Sequence, residues 1–175
     1  MSSFSLSAEF FPPRDIAARE RLLRAAKALM GSVLEFISVA FGAGGSTQQG
    51  TVQTLESLQK LGFEVVPHLS CIGTTQETLL ELLDYYKSLG VRRLVVLRGD
   101  IPSGMGGFDG PMRYARDLVL FIREHYGEHF QILVAAYPEM HPEAESFSAD
   151  IHHYVQKVKA GSDAAITQYF FNAAA

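Results

Sequence analysis

The 175 residues are 47% hydrophobic and 19% charged, carry a formal net charge of −4 and include one cysteine. That balance excludes a disordered chain, a basic nucleic-acid surface, a polybasic membrane patch and an internal disulfide. "MSSFSLSAEFF" has no basic region ahead of a long apolar run, and no stretch is apolar over a bilayer's width, so a cytoplasmic protein without membrane or nucleic-acid partners is expected.

In chain order, short apolar runs alternate with helical patterns. The runs are "FSLSAEFF" (4–11), "FISVAFGA" (36–43), "FEVVPHLSC" (63–71), "RRLVVLRGD" (92–100), "QILVAAYPE" (131–139) and "AAITQYFF" (164–171). Most are continuous and rich in Val, Ile, Leu and Phe, the composition of parallel strands covered on both faces. Between them, Leu22, Leu23, Ala26, Leu29 and Met30 form one helical stripe, and Leu79, Leu82, Leu83 and Tyr86 another. Ala115, Leu118, Val119 and Ile122 form a third; Ile151, Tyr154, Val155 and Val158 keep the same spacing. Ser46 or Thr47, Thr74 or Thr75, and Ser148 are the expected N-caps. Gly31, Gly62, Gly90 and Gly161 follow helix ends, where a left-handed residue is wanted.

Strand–helix units at a spacing of about 30 residues fit either a (β/α)8 barrel or an open doubly wound sheet. The polar residues discriminate, because they gather at the C-terminal end of every run: Glu9, "FGAGGS", His68 and Cys71, "RGD", "YPEMH" and Gln168. An open sheet concentrates its ligand groups at one switch point, whereas a barrel draws them from many strands. The expectation is therefore an α/β (β/α)8 TIM barrel of which the first six strands are present. Residues 1–175 then form a single, incomplete catalytic barrel domain.

Neither glycine-rich loop is a nucleotide fingerprint. "GAGGS" (42–46) and "GMGGFDG" (104–110) both miss G-x-G-x-x-G, and neither ends in Gly-Lys-Ser/Thr. They read as βα loops at the barrel mouth. His68 with Cys71, and His141 with Glu143, are spaced as metal ligands can be, but no second cysteine pair, H-E-x-x-H or carboxylate cluster completes a set. No metal is expected, and nothing local marks a base for a nucleophilic Cys71. What remains at the strand ends is Glu9, His68, Arg98, Asp100, Tyr137, Glu139, His141 and Gln168. Each alone reads as a solvated strand end or an ion pair such as Arg98–Asp100. Together they suit a flat, polar, aromatic ligand handled by proton transfer.

At these residues the chain resembles the methylenetetrahydrofolate reductases, FAD-dependent barrel enzymes of one-carbon metabolism and methionine supply. The matching segments are "EFFPPR", "FISVAFGAGGS", "PHLSC", "LVVLRGD", "YARDLV", "AAYPEMHPEA" and "AGSDAAITQYFF", in order from residue 7 to the end. The resemblance implies that NADH or NADPH reduces FAD, which then passes a hydride to 5,10-methylenetetrahydrofolate, giving 5-methyltetrahydrofolate. Opening the folate's bridging ring needs a proton on the leaving nitrogen. By the resemblance Glu9 supplies it, kept protonated by apolar surroundings expected from Phe10 and Phe11.

The resemblance also implies that Asp100 contacts the folate beside the flavin and favours hydride departure, and that Gln168 binds the pterin edge as donor and acceptor. FAD would be held by His68, Arg98, Gly99, Asp100, Tyr114, Ala115, Tyr137, His141, Asp150 and Lys157. A homo-oligomer whose only small-molecule partners are folate and a nicotinamide donor is expected. The chain departs from the bacterial pattern at Ala40, His153 and Gln156, which stand in place of Thr, Asn and Arg. Two other classes compete with this reading. One is a truncated, non-catalytic barrel fragment that binds flavin or folate; the other is a different folate or flavin barrel enzyme. The joint presence of Glu9, Asp100 and Gln168 argues against the last.

Overall fold

The computed structural model describes residues 5–41, 45–99 and 112–172. Asp100, residues 42–44 and the glycine-rich stretch 104–110 lie outside the described residues. The elements alternate as the sequence predicts: β1 (Leu6–Phe10), α1 (Ile16–Ala28), β2 (Leu34–Val39), α2 (Gly45–Lys60), β3 (Val65–Ser70), α3 (Gln76–Ser88), β4 (Arg93–Leu97), α4 (Ala115–Tyr126), β5 (Gln131–Ala136), α5 (Phe147–Lys159) and β6 (Ala164–Thr167). The chain divides into two compact units, Met1–Leu69 with Gly73–Arg93, and Ser70–Ile72 with Leu94–Ala175.

In the first unit β1 pairs with β2 and β2 with β3, both parallel. The core lies between these strands and their helices: Ile37, Val39, Val65 and Leu69 against Leu22, Ala26, Leu55, Leu58, Leu79, Leu83 and Tyr86, all buried. The first pairing slips between Leu6 and Ser7, so that Glu35 is passed over in the ladder. Arg93, one-quarter exposed, binds Glu35 and lies 3.4 Å from Glu64, which ties together the N-terminal ends of β2, β3 and β4.

In the second unit β4, β5 and β6 follow one another in chain order, and β5–β6 is parallel with Leu133 opposite Ala164. Leu94, Val96, Leu118, Val119, Ile122, Phe130, Ile132 and Val134 make its core. Arg123 is the tie here. Its guanidinium donates to the carbonyls of Gly161 (2.9 Å), Gly127 (2.8 Å) and Phe130 (2.8 Å) and to Asp163 (2.6 Å). Asp163 in turn accepts from the Ile132 amide at 2.6 Å. Parallel strand–helix units of this kind are the repeat of a (β/α)8 barrel.

Several details differ from the sequence reading. Ser46 and Thr47 lie inside α2, which starts at Gly45, so neither is its cap. Thr75 does cap α3, but α5 is capped by Ser146 and not by Ser148, which lies inside the helix. Ser146 is the residue whose extended backbone lets its hydroxyl accept from the Ala149 amide. The stripe on α5 forms, yet Ile151, Val155 and Val158 are all exposed. β6 is exposed throughout and β1 largely so, not covered on both faces as expected. Each is an end strand in the strand order, with one hydrogen-bonded neighbour among the described residues. Gly31, Gly62, Gly90 and Gly161 do carry the positive φ that a helix exit uses.

Candidate functional site

In the first unit the site begins at the C-terminal end of β1. Glu9 is opposite Ser38, and Ser38 is opposite Val66. Strand side chains alternate with period two, so His68 shares the face of Val66, Ser38 and Glu9. The two functional groups reach toward each other over Ser38, with His68 Nε2 4.0 Å from Glu9 Oε2. His68 is 8% exposed, and burial pushes its imidazole down to about 4. The Glu9 side chain is about half exposed, and partial burial raises its carboxyl above the usual carboxylate range. Both groups are moved toward their uncharged forms. The apolar wrapping expected from the phenylalanines is a correction: Phe11 is 70% exposed, and Phe10 alternates to the other face. It is the strand face, and not the Phe pair, that shields Glu9.

In the second unit the ends of β4, β5 and β6 carry the remaining described candidates. Arg98 follows β4 and donates to Glu143 at 2.6 Å, which holds the Glu143 carboxyl below its ordinary range. The sequence suggested an Arg98–Asp100 pair; among the described residues the carboxylate at Arg98 is Glu143. In the sequence Glu143 stands out only for its spacing from His141. A donor–acceptor match over 45 positions leaves no periodic signal.

Gly99 has φ +85, and a Cβ there would sit 2.8 Å from Ser70 Oγ and 3.0 Å from Ser70 Cβ. Only glycine suits both the backbone and the space. Ser70, 4% exposed, has no hydrogen-bond partner for its hydroxyl among the described residues. The sequence reading missed it, although it lies two positions beyond His68 in the same period-two row. Cys71 is fully buried, donates weakly to the Arg98 carbonyl at 3.4 Å and has its thiol pushed up to about 11 by burial. Such a thiol is a packing group and not a nucleophile.

Tyr114 stands just before α4, of which Ala115 is the first residue. Asp117 accepts from the amides of Arg113 (3.0 Å) and Tyr114 (2.9 Å), fixing this helix start. The Tyr114 ring stacks on His153 at 5.6 Å, with the Arg116 guanidinium 5.5 Å from its centroid. After β5, the rings of Tyr137 and His141 meet edge to face at 4.5 Å. The His141 amide donates to Asp150 at 2.9 Å, and His141 Nδ1 accepts from the Glu143 amide at 3.1 Å. That acceptor role places a proton on Nε2, leaving it a donor. Met140, between them, is held at φ 75, a left-handed conformation uncommon for its type.

Lys157 donates to the Ala135 carbonyl, and its ammonium lies 5.7 Å from the Tyr154 ring centroid. Burial lowers its pKa, with Asp150 opposing the shift. Gln168 is exposed and anchored by its amide to the Ala136 carbonyl at 2.7 Å. Glu139 accepts from the amides of Phe171 (3.3 Å) and Asn172 (3.0 Å), so it holds the segment after β6. Among the described residues no group of three His, Cys, Asp or Glu side chains stands close enough to hold a metal, and no helix is long and apolar enough to cross a membrane.

The family model for methylenetetrahydrofolate reductase matches residues 1–175, the whole chain. The chain belongs to the methylenetetrahydrofolate reductase family. It is 40% identical over 169 residues to the 5,10-methylenetetrahydrofolate reductases of Salmonella typhimurium and Escherichia coli, with 96% of this chain and 55% of each of those proteins covered. It is 34% identical over 181 residues to methylenetetrahydrofolate reductase (NADH) 1 of Zea mays, covering 30% of that protein. The chain thus spans about half the length of the bacterial relatives it matches. The family match extends through both units.

Proposed function

We propose that this chain carries the flavin- and folate-facing residues of a methylenetetrahydrofolate reductase, which converts 5,10-methylenetetrahydrofolate to 5-methyltetrahydrofolate at the expense of NADH or NADPH. The observation that supports this most is the pairing of Glu9 with His68 in a chain of this family: a carboxyl shifted toward its protonated form at a strand end. A proton donor working near neutral pH needs that shift.

The residues of the second unit fit FAD by their chemistry. Arg98 and Lys157 are cations suited to phosphate or to the polar rim of a flavin, and His141 Nε2 and the amides opening α4 are donors. The Tyr114 and Tyr137 rings offer stacking surface, and Gly99, Asp100, Ala115 and Asp150, with His68 of the first unit, complete the set. When bound, FAD supplies hydride transfer between the nicotinamide and the folate. Glu9 protonates the folate nitrogen that leaves as the bridging ring opens. Asp100 places a negative charge beside the reacting centre, and Gln168 reads the pterin edge with one donor and one acceptor.

The test begins with the absorbance of the purified protein and chromatography of the flavin released from it. Near-stoichiometric FAD is expected; FMN alone would overturn the cofactor assignment. A colourless protein that takes up no flavin would favour the non-catalytic fragment. Stopped-flow absorbance then follows reduction by NADH or NADPH and reoxidation by methylenetetrahydrofolate separately. A flavin that is reduced but never reoxidised by the folate would overturn the activity.

A further inference from the structure

We propose that His68 is a positioning residue for Glu9, its uncharged imidazole presenting Nε2 as the acceptor for the proton that the Glu9 carboxyl carries. This role rests on Glu9 being the proton donor proposed above. The two side chains project from one face of the β1–β2–β3 sheet, two strands apart, and approach to 4.0 Å between Nε2 and Oε2. A hydrogen bond needs about 3 Å, and the half-exposed Glu9 side chain has the freedom to close that gap, whereas the buried His68 is held by its strand.

Two proton arrangements fit such a contact: an imidazolium beside a carboxylate, or a neutral imidazole beside a carboxylic acid. The first places a charge on a side chain that is 8% exposed, and taking an ion out of water costs several kcal/mol that one long contact does not return. The second leaves both groups uncharged, in agreement with the direction of shift of each. The facing groups on the strands between and beside them are Ser38 and Val66, which bear no charge. Several of the described charges on neighbouring elements of this unit are engaged elsewhere. Glu35 and Glu64 meet Arg93 at the opposite strand ends, Asp15 caps α1, and Glu56 of α2 bonds Tyr85.

The arrangement defines what happens as the proton leaves. While Glu9 is protonated, its hydroxyl is parked on Nε2. A substrate nitrogen that competes as acceptor takes the proton and leaves a carboxylate facing the Nε2 lone pair. Two acceptors opposed in a half-dry place repel, so Glu9 recovers a proton readily. His68 thereby sets both the orientation of the acid and its readiness to reload, without touching the folate.

The purified protein labelled with 15N-histidine and 13C-carboxyl glutamate tests this by NMR between pH 5 and 8. His68 and Glu9 are assigned by the resonances lost in His68→Gln and Glu9→Gln. The expected result is a neutral His68 with its proton on Nδ1 across the range, and a Glu9 midpoint that falls by about one pH unit in His68→Gln, whose amide can donate to the carboxylate. A doubly protonated His68 near pH 7, a proton on Nε2 in the neutral ring, or a Glu9 midpoint unmoved by His68→Gln would overturn it. If His68→Gln does not fold, the tautomer in the unsubstituted protein decides. Neither reading uses folate turnover. A protein with the expected pairing and no folate-dependent reoxidation would overturn the proposed activity alone, and the reverse pattern would overturn the pairing alone.

Discussion

The two units build their strand ends by opposite means. In the first, Glu9 and His68 stand 4.0 Å apart, each pushed toward its uncharged form. In the second, charges are kept and tied down: Arg98 on Glu143, Asp150 on the His141 amide, Lys157 on the Ala135 carbonyl. A group that must give up a proton gains from being under-solvated and loosely held. A group that holds a charged cofactor gains from being charged already and fixed in place, since orientation then costs little on binding. Under the proposed function, the contrast suits Glu9 of the first unit to proton handling and the tied charges of the second to holding a charged cofactor.

The sharpest break of that contrast is Glu9→Gln. Stopped-flow measurements should show reoxidation by folate falling about 10²–10⁴-fold, about 3–5 kcal/mol of barrier, while reduction by the nicotinamide donor stays within a few-fold. Equal losses in both halves would dissolve the division of labour. On the second unit the largest stability effect is expected from Arg123→Ala. It removes a 13%-exposed guanidinium from three carbonyls and Asp163, and denaturant unfolding should lose about 3–5 kcal/mol. The matching change in the first unit, Arg93→Ala, touches half-exposed carboxylates and should cost only about 1 kcal/mol.

Acid should act on the first unit in particular. The unfolded His68 binds a proton below about pH 6.5, whereas the folded one resists until about 4. Between those values the unfolded state holds more protons, so the stability contributed by a neutral His68 is complete above pH 6.5 and lost as pH falls toward 4, about 3 kcal/mol in total. Glu9 works in the other direction: its raised carboxyl stabilises the fold below the ordinary carboxylate range and loses that contribution as pH rises. Denaturant midpoints measured from pH 7 to pH 4 should therefore show a slope that His68→Gln flattens. Gly99→Ala meets a positive φ and the contact with Ser70 and should cost about 1–2 kcal/mol. Pairing it with Ser70→Ala should recover part of that loss in a double-mutant cycle.

The alternation of strands and helices was legible because continuous apolar runs and 3.6-residue stripes are written locally. The α3 cap could be narrowed to Thr74 or Thr75, of which Thr75 is the cap, and His68 and Glu9 could be named from their places at strand ends. Their mutual distance could not, since it follows from the Glu9–Ser38–Val66 register, which no single segment encodes. The Arg98–Glu143 pair was missed because a near neighbour, Asp100, offered an obvious partner. On α5 the spacing correctly announced a helix, but a stripe of Ile151, Val155 and Val158 says only that an apolar face exists. It carries no information on what that face meets, and here the face is exposed.

The burial of Cys71 gives the molecule a built-in stopwatch. It is the chain's single thiol, fully enclosed and held far from its thiolate at neutral pH. A small alkylating reagent can therefore modify the native protein only during moments when the segment joining β3 to α3 comes open. The rate of labelling counts those openings, one molecule at a time and with no engineered reporter. Flavin or folate bound nearby should lengthen the interval between them.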